Sequence, residues 1–197
     1  GILFFDEFPH FSKTVLEALR EPLQDHRVLI SRVNSKVEYS TRFMFVAAQN
    51  PCPCGNLLSS IHPCRCSDIE IKRYKQRISD PLLDRIEIYV QMQESDPNDI
   101  PSVDSASMHA QVIEAFGRQM ARGQCCLNGK LDEKGVETYC KLDSDAETIL
   151  QKAIANFGLS HRSVANVKKV ARTIADLTGH ETIGTTHLLE ALSFRRR

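Results

Sequence analysis

The sequence predicts an α/β fold in which a parallel-sheet core carries a β-hairpin insertion and is followed by an α-helical domain. Three observations predict it. Short unbroken apolar runs at Ile2–Phe5 and Phe43–Ala48 have the pattern of strands buried on both faces of a parallel sheet. Alternating segments at Arg27–Val33 and Lys36–Ser40, separated by the turn chemistry of Asn34-Ser35, read as a hairpin. Past residue 107 the apolar period becomes helical.

With 197 residues, 42% hydrophobic and 25% charged, the chain can bury one large core or two small ones. Its 25 basic residues balance 25 acidic ones, so contact with nucleic acid would need a local patch and not a global field. No apolar run approaches the roughly 20 residues of a membrane span, and no signal-like start is present, so a cytoplasmic protein without membrane contact is expected. Gly1 leads directly into an apolar run with no initiating Met, which reads as a truncation. Four of the seven cysteines fall within fifteen positions, which in a cytosolic protein favours a metal over disulfides.

In order along the chain, Ile2–Phe5 delivers Asp6-Glu7 at its end. A helix should follow, with Ser12 as N-cap, Phe11 and Leu16 as a hydrophobic staple, and Val15, Leu16, Leu19 and Leu23 on one face. Pro22 should kink or end it. After the hairpin and the second buried strand, residues 51–68 read as an irregular loop, and Ile86–Val90 as a third strand. Glu94–Ser107 has linker composition. The expected organisation is therefore 1–93 core, 94–107 linker and 108–197 helical domain. Within the last, Val112, Ile113, Phe116 and Met120 form a stripe. A capping box of Ser144 with Glu147 opens a helix ending near Gly158. Val167, Val170, Ala171, Ile174 and Leu177 mark a helix that stops at Gly179, and Leu188, Leu189 and Leu192 suggest a fourth.

A strand that ends in two carboxylates suits a magnesium–nucleotide site, where one acid holds the metal and its neighbour orients or deprotonates water. Taken alone, it also fits a strand end with solvated acids. Gly1-Ile-Leu-Phe-Phe-Asp-Glu7 resembles a Walker B motif. Phe43-Met-Phe-Val-Ala-Ala-Gln-Asn50 resembles a sensor 1 strand, Asp80-Pro-Leu-Leu-Asp-Arg-Ile86 an arginine-finger segment, and Leu159-Ser-His-Arg-Ser163, before a long amphipathic helix, a sensor 2 segment. In this order the four elements cover nearly the whole chain, and together they resemble magnesium-chelatase-like AAA+ ATPases of the ComM type from the Walker B strand onward.

That resemblance implies a partial AAA+ core with a helical lid. ATP and Mg²⁺ are the implied ligands, with Asp6 serving the metal, Glu7 as catalytic base, Asn50 sensing the γ-phosphate, Arg85 acting on a neighbouring subunit's nucleotide, and Arg162 as sensor 2 in cis or in trans. A homo-oligomeric ring, a hexamer, and helicase-like remodelling of DNA are implied as well. The hairpin resembles a pre-sensor-1 hairpin whose tip, with Arg32, Asn34 and Lys36, would meet a nucleic-acid backbone.

Cys52 and Cys54 with Cys64 and Cys66 form two Cys-x-Cys pairs nine residues apart, enough thiolates for a closed structural zinc site, with His62 as an alternate ligand. Cys125, Cys126 and Cys140 lack paired spacing and read as packing residues. No Gly-x-x-x-x-Gly-Lys-[Ser/Thr] phosphate loop occurs, so the 197 residues by themselves are expected neither to bind ATP tightly nor to hydrolyse it. The competing readings are a chelatase subunit that drives Mg²⁺ into a porphyrin, against which the cysteine loop argues, a non-enzymatic zinc-stabilised binding module, and an ATP-dependent protease partner.

Overall fold

Two units, Gly1–Ile86 and Glu87–Arg197, make up the computed structural model of the chain, which describes residues 1–33, 35–94, 98–100 and 102–195. The first unit runs β1 (Ile2–Phe5), α1 (Lys13–Ala18), α2 (Arg20–Asp25), β2 (Arg27–Arg32), β3 (Ser35–Ser40), β4 (Met44–Ala47), α3 (Asp68–Lys75) and α4 (Asp80–Leu83).

β1 and β4 pair in parallel from Ile2 opposite Met44 to Phe5 opposite Ala47. The pairing is the expected one, but the expected burial is not found: Ile2, Phe4 and Met44 are 58–66% exposed. Within the described residues this sheet has two strands, and one of its faces is left uncovered, so one set of alternating side chains stays in water. The other face seats Phe5 and Phe45 against Phe8 and Phe11, with ring centroids 4.4–5.8 Å apart.

The expected single helix is two. α1, capped by the Ser12 hydroxyl accepting from the Val15 amide, breaks at Leu19, and Pro22 falls in the first turn of α2, where its missing N–H breaks no helical bond. β2 and β3 form the hairpin, with Arg27 opposite Ser40 and Arg32 opposite Ser35; Asn34 lies outside the described residues. The expected strand at Ile86–Val90 is absent. The segment is not part of a strand, and the Tyr89 amide donates to the Phe194 carbonyl at 2.8 Å.

The second unit contains α5 (Ser105–Ala121), α6 (Glu133–Tyr139), α7 (Ser144–Phe157), α8 (His161–Leu177) and α9 (Thr185–Ser193) around Leu150, Val167, Ala171, Ile183 and Leu188. α5 starts inside the expected linker, capped by Asp104, whose carboxylate accepts from the Ser107 amide at 2.6 Å. Residues 95–97 and 101 of that linker lie outside the described residues. α7 is capped by Asp143, one residue before the expected Ser144, because the Asp143 carboxylate reaches the Ala146 amide at 2.8 Å. Gly158, with φ +60°, ends it.

The stripe on α5 points away from the core. Val112, Ile113, Phe116 and Met120 are 44–57% exposed, while Ala115 and Gln119 are buried. Polar bonds attach the helix to α8. Asp176, 0% exposed, accepts from Arg172 at 3.1 Å, from Arg122, and from the Asn128 amide at 2.8 Å. Gln119 takes up the Asn128 backbone N–H at 3.0 Å, and Arg118 donates to the Asp176 carbonyl. Arg172, also 0% exposed, donates further to the carbonyls of His180 and Glu181. No helix of the described residues is long and apolar enough to cross a membrane.

At the start of α9, His187 Nδ1 accepts the Gly184 amide at 3.0 Å, and its Nε2 lies 3.1 Å from the Thr178 hydroxyl. The accepting Nδ1 requires a neutral ring. Burial, helped by His180 and Arg172, holds the His187 pKa below its ordinary value despite Glu190 and Asp143. A histidine whose folded pKa is depressed stabilises fully above the unfolded pKa of about 6.5, and that contribution is lost as pH falls from there through the folded value. Chemical denaturation of the chain between pH 7.5 and pH 5 should therefore show stability declining with acid, and the decline should shrink in His187→Gln. Equal slopes in the two proteins would remove His187 as the cause.

Candidate functional site

Parallel pairing fixes where the first acids sit. β1 and β4 run in the same direction and end together, so residues 6–7 and 48–50 leave the same edge of the sheet. The Ala48 amide donates to the Phe5 carbonyl at 2.8 Å, and the Phe8 amide to the Ala48 carbonyl at 2.9 Å, which ties the two exits together. Asp6, Glu7 and Asn50 are all exposed at this edge. Asp6 Oδ1 accepts the Glu7 amide at 2.9 Å. Glu7 takes a left-handed backbone, φ 49° and ψ 44°, rare for a residue with a side chain, as the chain turns into the 3₁₀ turn Phe8–His10.

Two exposed carboxylates form an all-oxygen donor set, which fits a hard cation such as Mg²⁺. Tyr74 on α3 is 7% exposed and packs edge-on against His10 with ring centroids 6.0 Å apart, and burial pushes its hydroxyl pKa above the ordinary value despite the nearby Asn50 amide. Sequence reasoning missed α3, although Ser67 and Glu70 form a legible capping box: Glu70 Oε2 accepts the Ser67 amide at 2.8 Å, and Ser67 Oγ accepts the Glu70 amide at 3.4 Å.

Arg85 follows α4. Its Nε donates to the Arg20 carbonyl at 3.1 Å, and its terminal nitrogens to the Pro81 carbonyl and the Gln24 side chain, so the guanidinium ties α4 to α2 within its own unit. Arg162 lies in the exposed first turn of α8, in the second unit. Arg32 and Lys36 are exposed near the tip of the hairpin.

The four cysteines converge. Cys52 Sγ lies 3.5 Å from Cys54 Sγ and 3.7 Å from Cys64 Sγ, Cys54 and Cys64 are 3.6 Å apart, and all four sulfurs fall within 4.8 Å of one another. Tetrahedral zinc with Zn–S bonds of about 2.3 Å requires sulfurs about 3.8 Å apart. Backbone amides point at the sulfurs as well: those of Arg65 and Asn56 donate to Cys54 and that of Cys54 to Cys66. The donated amides hold the Cys54 thiol down at about 6, whereas loss of hydration, and then the crowding sulfurs, push Cys66 up to about 12. Four sulfurs this close cannot all carry negative charge unless a cation sits among them. His62 is not part of the cluster.

Of the remaining cysteines, Cys140 is buried and packs in the second core, and Cys126 lies beside that core. Cys125 is exposed, contrary to the packing expectation, with its sulfur 3.7 Å from that of Cys126.

A parallel pair whose strands end in acids and in a polar amide, followed by a separate helical unit, defines a class, and comparison with known proteins identifies it. Residues 1–100 match the family described as magnesium chelatase, subunit ChlI, and residues 102–195 its C-terminal part, so the chain belongs to the magnesium-chelatase-like family of AAA+ proteins. It is 38% identical over 200 residues to competence protein ComM of Haemophilus influenzae, spanning 99% of this chain and 39% of that protein. It is 37% identical to the uncharacterized protein YifB of Escherichia coli, with the same coverage. The uncharacterized protein Rv2897c of Mycobacterium tuberculosis is 32% identical over 202 residues, covering 100% of this chain and 40% of that protein.

Proposed function

We propose that the chain supplies one side of the ATP-hydrolysing centre of a ring motor that remodels DNA. The observation that carries this reading is the shared edge of β1 and β4, where the Asp6 and Glu7 carboxylates and Asn50 leave the sheet together. Asp6 would hold Mg²⁺, which when bound polarises the phosphate oxygens. Glu7 would take the proton of the attacking water, and the Asn50 amide would orient that water or the γ-phosphate.

Arg85 fits a finger for the nucleotide of a neighbouring subunit in a homo-oligomeric, hexameric ring, once it leaves its carbonyl partners. Arg162 would serve as sensor 2, with the second unit as the lid. The phosphate-binding loop is not among the 197 residues, so these groups need the rest of the intact protein to act. Arg32 and Lys36 on an exposed hairpin suit the phosphates of a nucleic-acid strand, where contacts give affinity without sequence choice.

Asn50→Ala in the intact protein tests the reading. ATP turnover is expected to fall on the order of 10²-fold while nucleotide affinity changes little, since the lost donor acts mainly in the transition state. Wild-type turnover in that variant would sink it.

The tetrathiolate cluster would hold a structural zinc, with all four positions filled by protein and none open for chemistry. The purified chain should carry about one zinc, and Cys52→Ser and Cys64→Ser should each lose most of it, as measured by atomic emission. Unchanged content in both would exclude the site. A closed tetrathiolate leaves no open position from which a metal could pass to a porphyrin, so the cluster lends nothing to the chelatase-subunit reading.

A further inference from the structure

The adjacent cysteines that follow α5 belong to the second unit and not to the tetrathiolate cluster. Cys125 is exposed, Cys126 is half-buried against the second core, and their sulfurs lie 3.7 Å apart. The turn that carries them is hydrogen-bonded to the buried charges beside it. Gln124, itself buried, donates from Nε2 to the Cys126 carbonyl at 2.7 Å and to Asn128 Oδ1 at 3.0 Å, and its Oε1 accepts from Arg122 at 2.9 Å. Arg122 and the Asn128 side chain both end on the Asp176 carboxylate, and Gln119 of α5 holds the Asn128 backbone N–H at 3.0 Å.

We propose that Cys125 and Cys126 form a reversible oxidation site for hydrogen peroxide, and that closure of a disulfide between them loosens the attachment of α5 to α8. The exposed Cys125 meets the oxidant. Its thiolate attacks a peroxide oxygen: an S–O bond forms, the O–O bond breaks, and the departing hydroxide takes up the proton the thiol had released, leaving a sulfenic acid and water. The Cys126 sulfur then attacks the Cys125 sulfur. The S–S bond forms as the S–O bond breaks, and the leaving hydroxide carries off the Cys126 proton as a second water. Two thiols are thereby oxidised to one disulfide while the peroxide is reduced to water. Loss of hydration, and then the neighbouring Cys125, push the Cys126 thiol above its ordinary pKa, which suits it to keep its proton until Cys125 has reacted.

Reversibility follows from covalent geometry. Consecutive Cα atoms across a trans peptide are about 3.8 Å apart, short of the roughly 4.4–6.8 Å of relaxed disulfides, so this bond closes under strain and yields readily to a thiol reductant. The ring it closes contains the Cys125–Cys126 peptide, and closing it turns the backbone on either side. The Cys126 carbonyl then swings away from Gln124, and the arrangement of Gln124 and Asn128 that supports Arg122 and Asp176 is lost with it.

Tryptic peptide mapping of the 197-residue chain, after graded hydrogen peroxide and blocking of the remaining free thiols, tests the site. Cleavage after Arg122 and Lys130 places both cysteines, and no other, in residues 123–130, so oxidation of the tetrathiolate cluster is read in separate fragments. By mass, that peptide should be unblocked and lack two hydrogens, and reduced glutathione should restore its thiols. Amide exchange resolved by NMR reads the structural effect. Oxidation should speed exchange at the Asn128 amide roughly tenfold or more, since the bond to Gln119 opens with the turn. In Cys125→Ser, which cannot close the ring, peroxide should leave that amide unchanged. Thiols in residues 123–130 that stay free, pass on to sulfinic acid or join a second chain overturn the site, and a disulfide that resists glutathione overturns its reversibility. Equal Asn128 exchange in oxidised and reduced wild type, or equal acceleration in Cys125→Ser, overturns the coupling to α5. None of these readouts involves zinc content or ATP turnover, so the fate of those readings remains separate.

Discussion

Replacing Asp176 with Ala is expected to cost the second unit about 3–5 kcal/mol, the usual penalty for stranding the partner of a buried charge. Asp176 and Arg172 are both fully buried, so the Arg172 guanidinium would lose its carboxylate where water cannot replace it. The Asn128 side-chain amide and Arg122 would lose the same acceptor, and with Arg122 one of the bonds that attach α5 to α8. The melting temperature of this unit should drop on the order of 15 °C. Arg172→Met combined with Asp176→Leu should recover part of the loss, because a well-packed apolar pair replaces the ions but leaves Asn128 unsatisfied. Calorimetry on the three proteins checks this, and an Asp176→Ala variant that melts within about 3 °C of wild type would refute the assignment.

Glu7→Gln in the intact protein is expected to lower ATP turnover by roughly 10²–10⁴-fold. The amide is isosteric with the carboxylate and keeps the turn after β1, but it cannot accept a proton. Nucleotide and Mg²⁺ should therefore still bind, since Asp6 is untouched, and the variant should hold ATP without spending it. Single-turnover and binding measurements separate the two steps. Turnover within threefold of wild type would remove Glu7 as the base and leave its left-handed backbone as a feature of the turn alone.

Much of this chain was legible from local pattern. Ile2–Phe5 and Phe43–Ala48 announce strands because uninterrupted apolar runs ending in polar residues have few other uses, and the parallel register then places Asp6, Glu7 and Asn50 on one edge. Arg27–Arg32 and Ser35–Ser40 pair because alternation and a short turn are local signals. The cysteine pairs converge as their spacing suggested, and Ser12 caps its helix.

What was not legible depends on partners distant in sequence. Val112, Ile113, Phe116 and Met120 have the spacing of a core stripe and face outward, because Arg118, Arg122 and Gln119 hold the opposite side of α5 to residues more than forty positions away or in a separate turn. Arg172 and Asp176 sit within a helix whose apolar period says nothing of the charge it buries. Ile86–Val90 has strand composition but forms no strand, since the Tyr89 amide is taken up by the Phe194 carbonyl, so composition alone could not make it one.

The sequence by itself determined the first strand, the hairpin and the strand that follows it, the acids and amide at the strand ends, and the thiolate set. These follow from side-chain chemistry and short-range periodicity, which act over a few residues. Only the tertiary structure decided that Tyr74 packs against His10, that Arg85 is engaged by the carbonyls of Arg20 and Pro81, and that Arg122 at the end of α5 pairs with the buried Asp176 of α8. Those choices depend on which surfaces lose water together, and that is settled when distant segments pack.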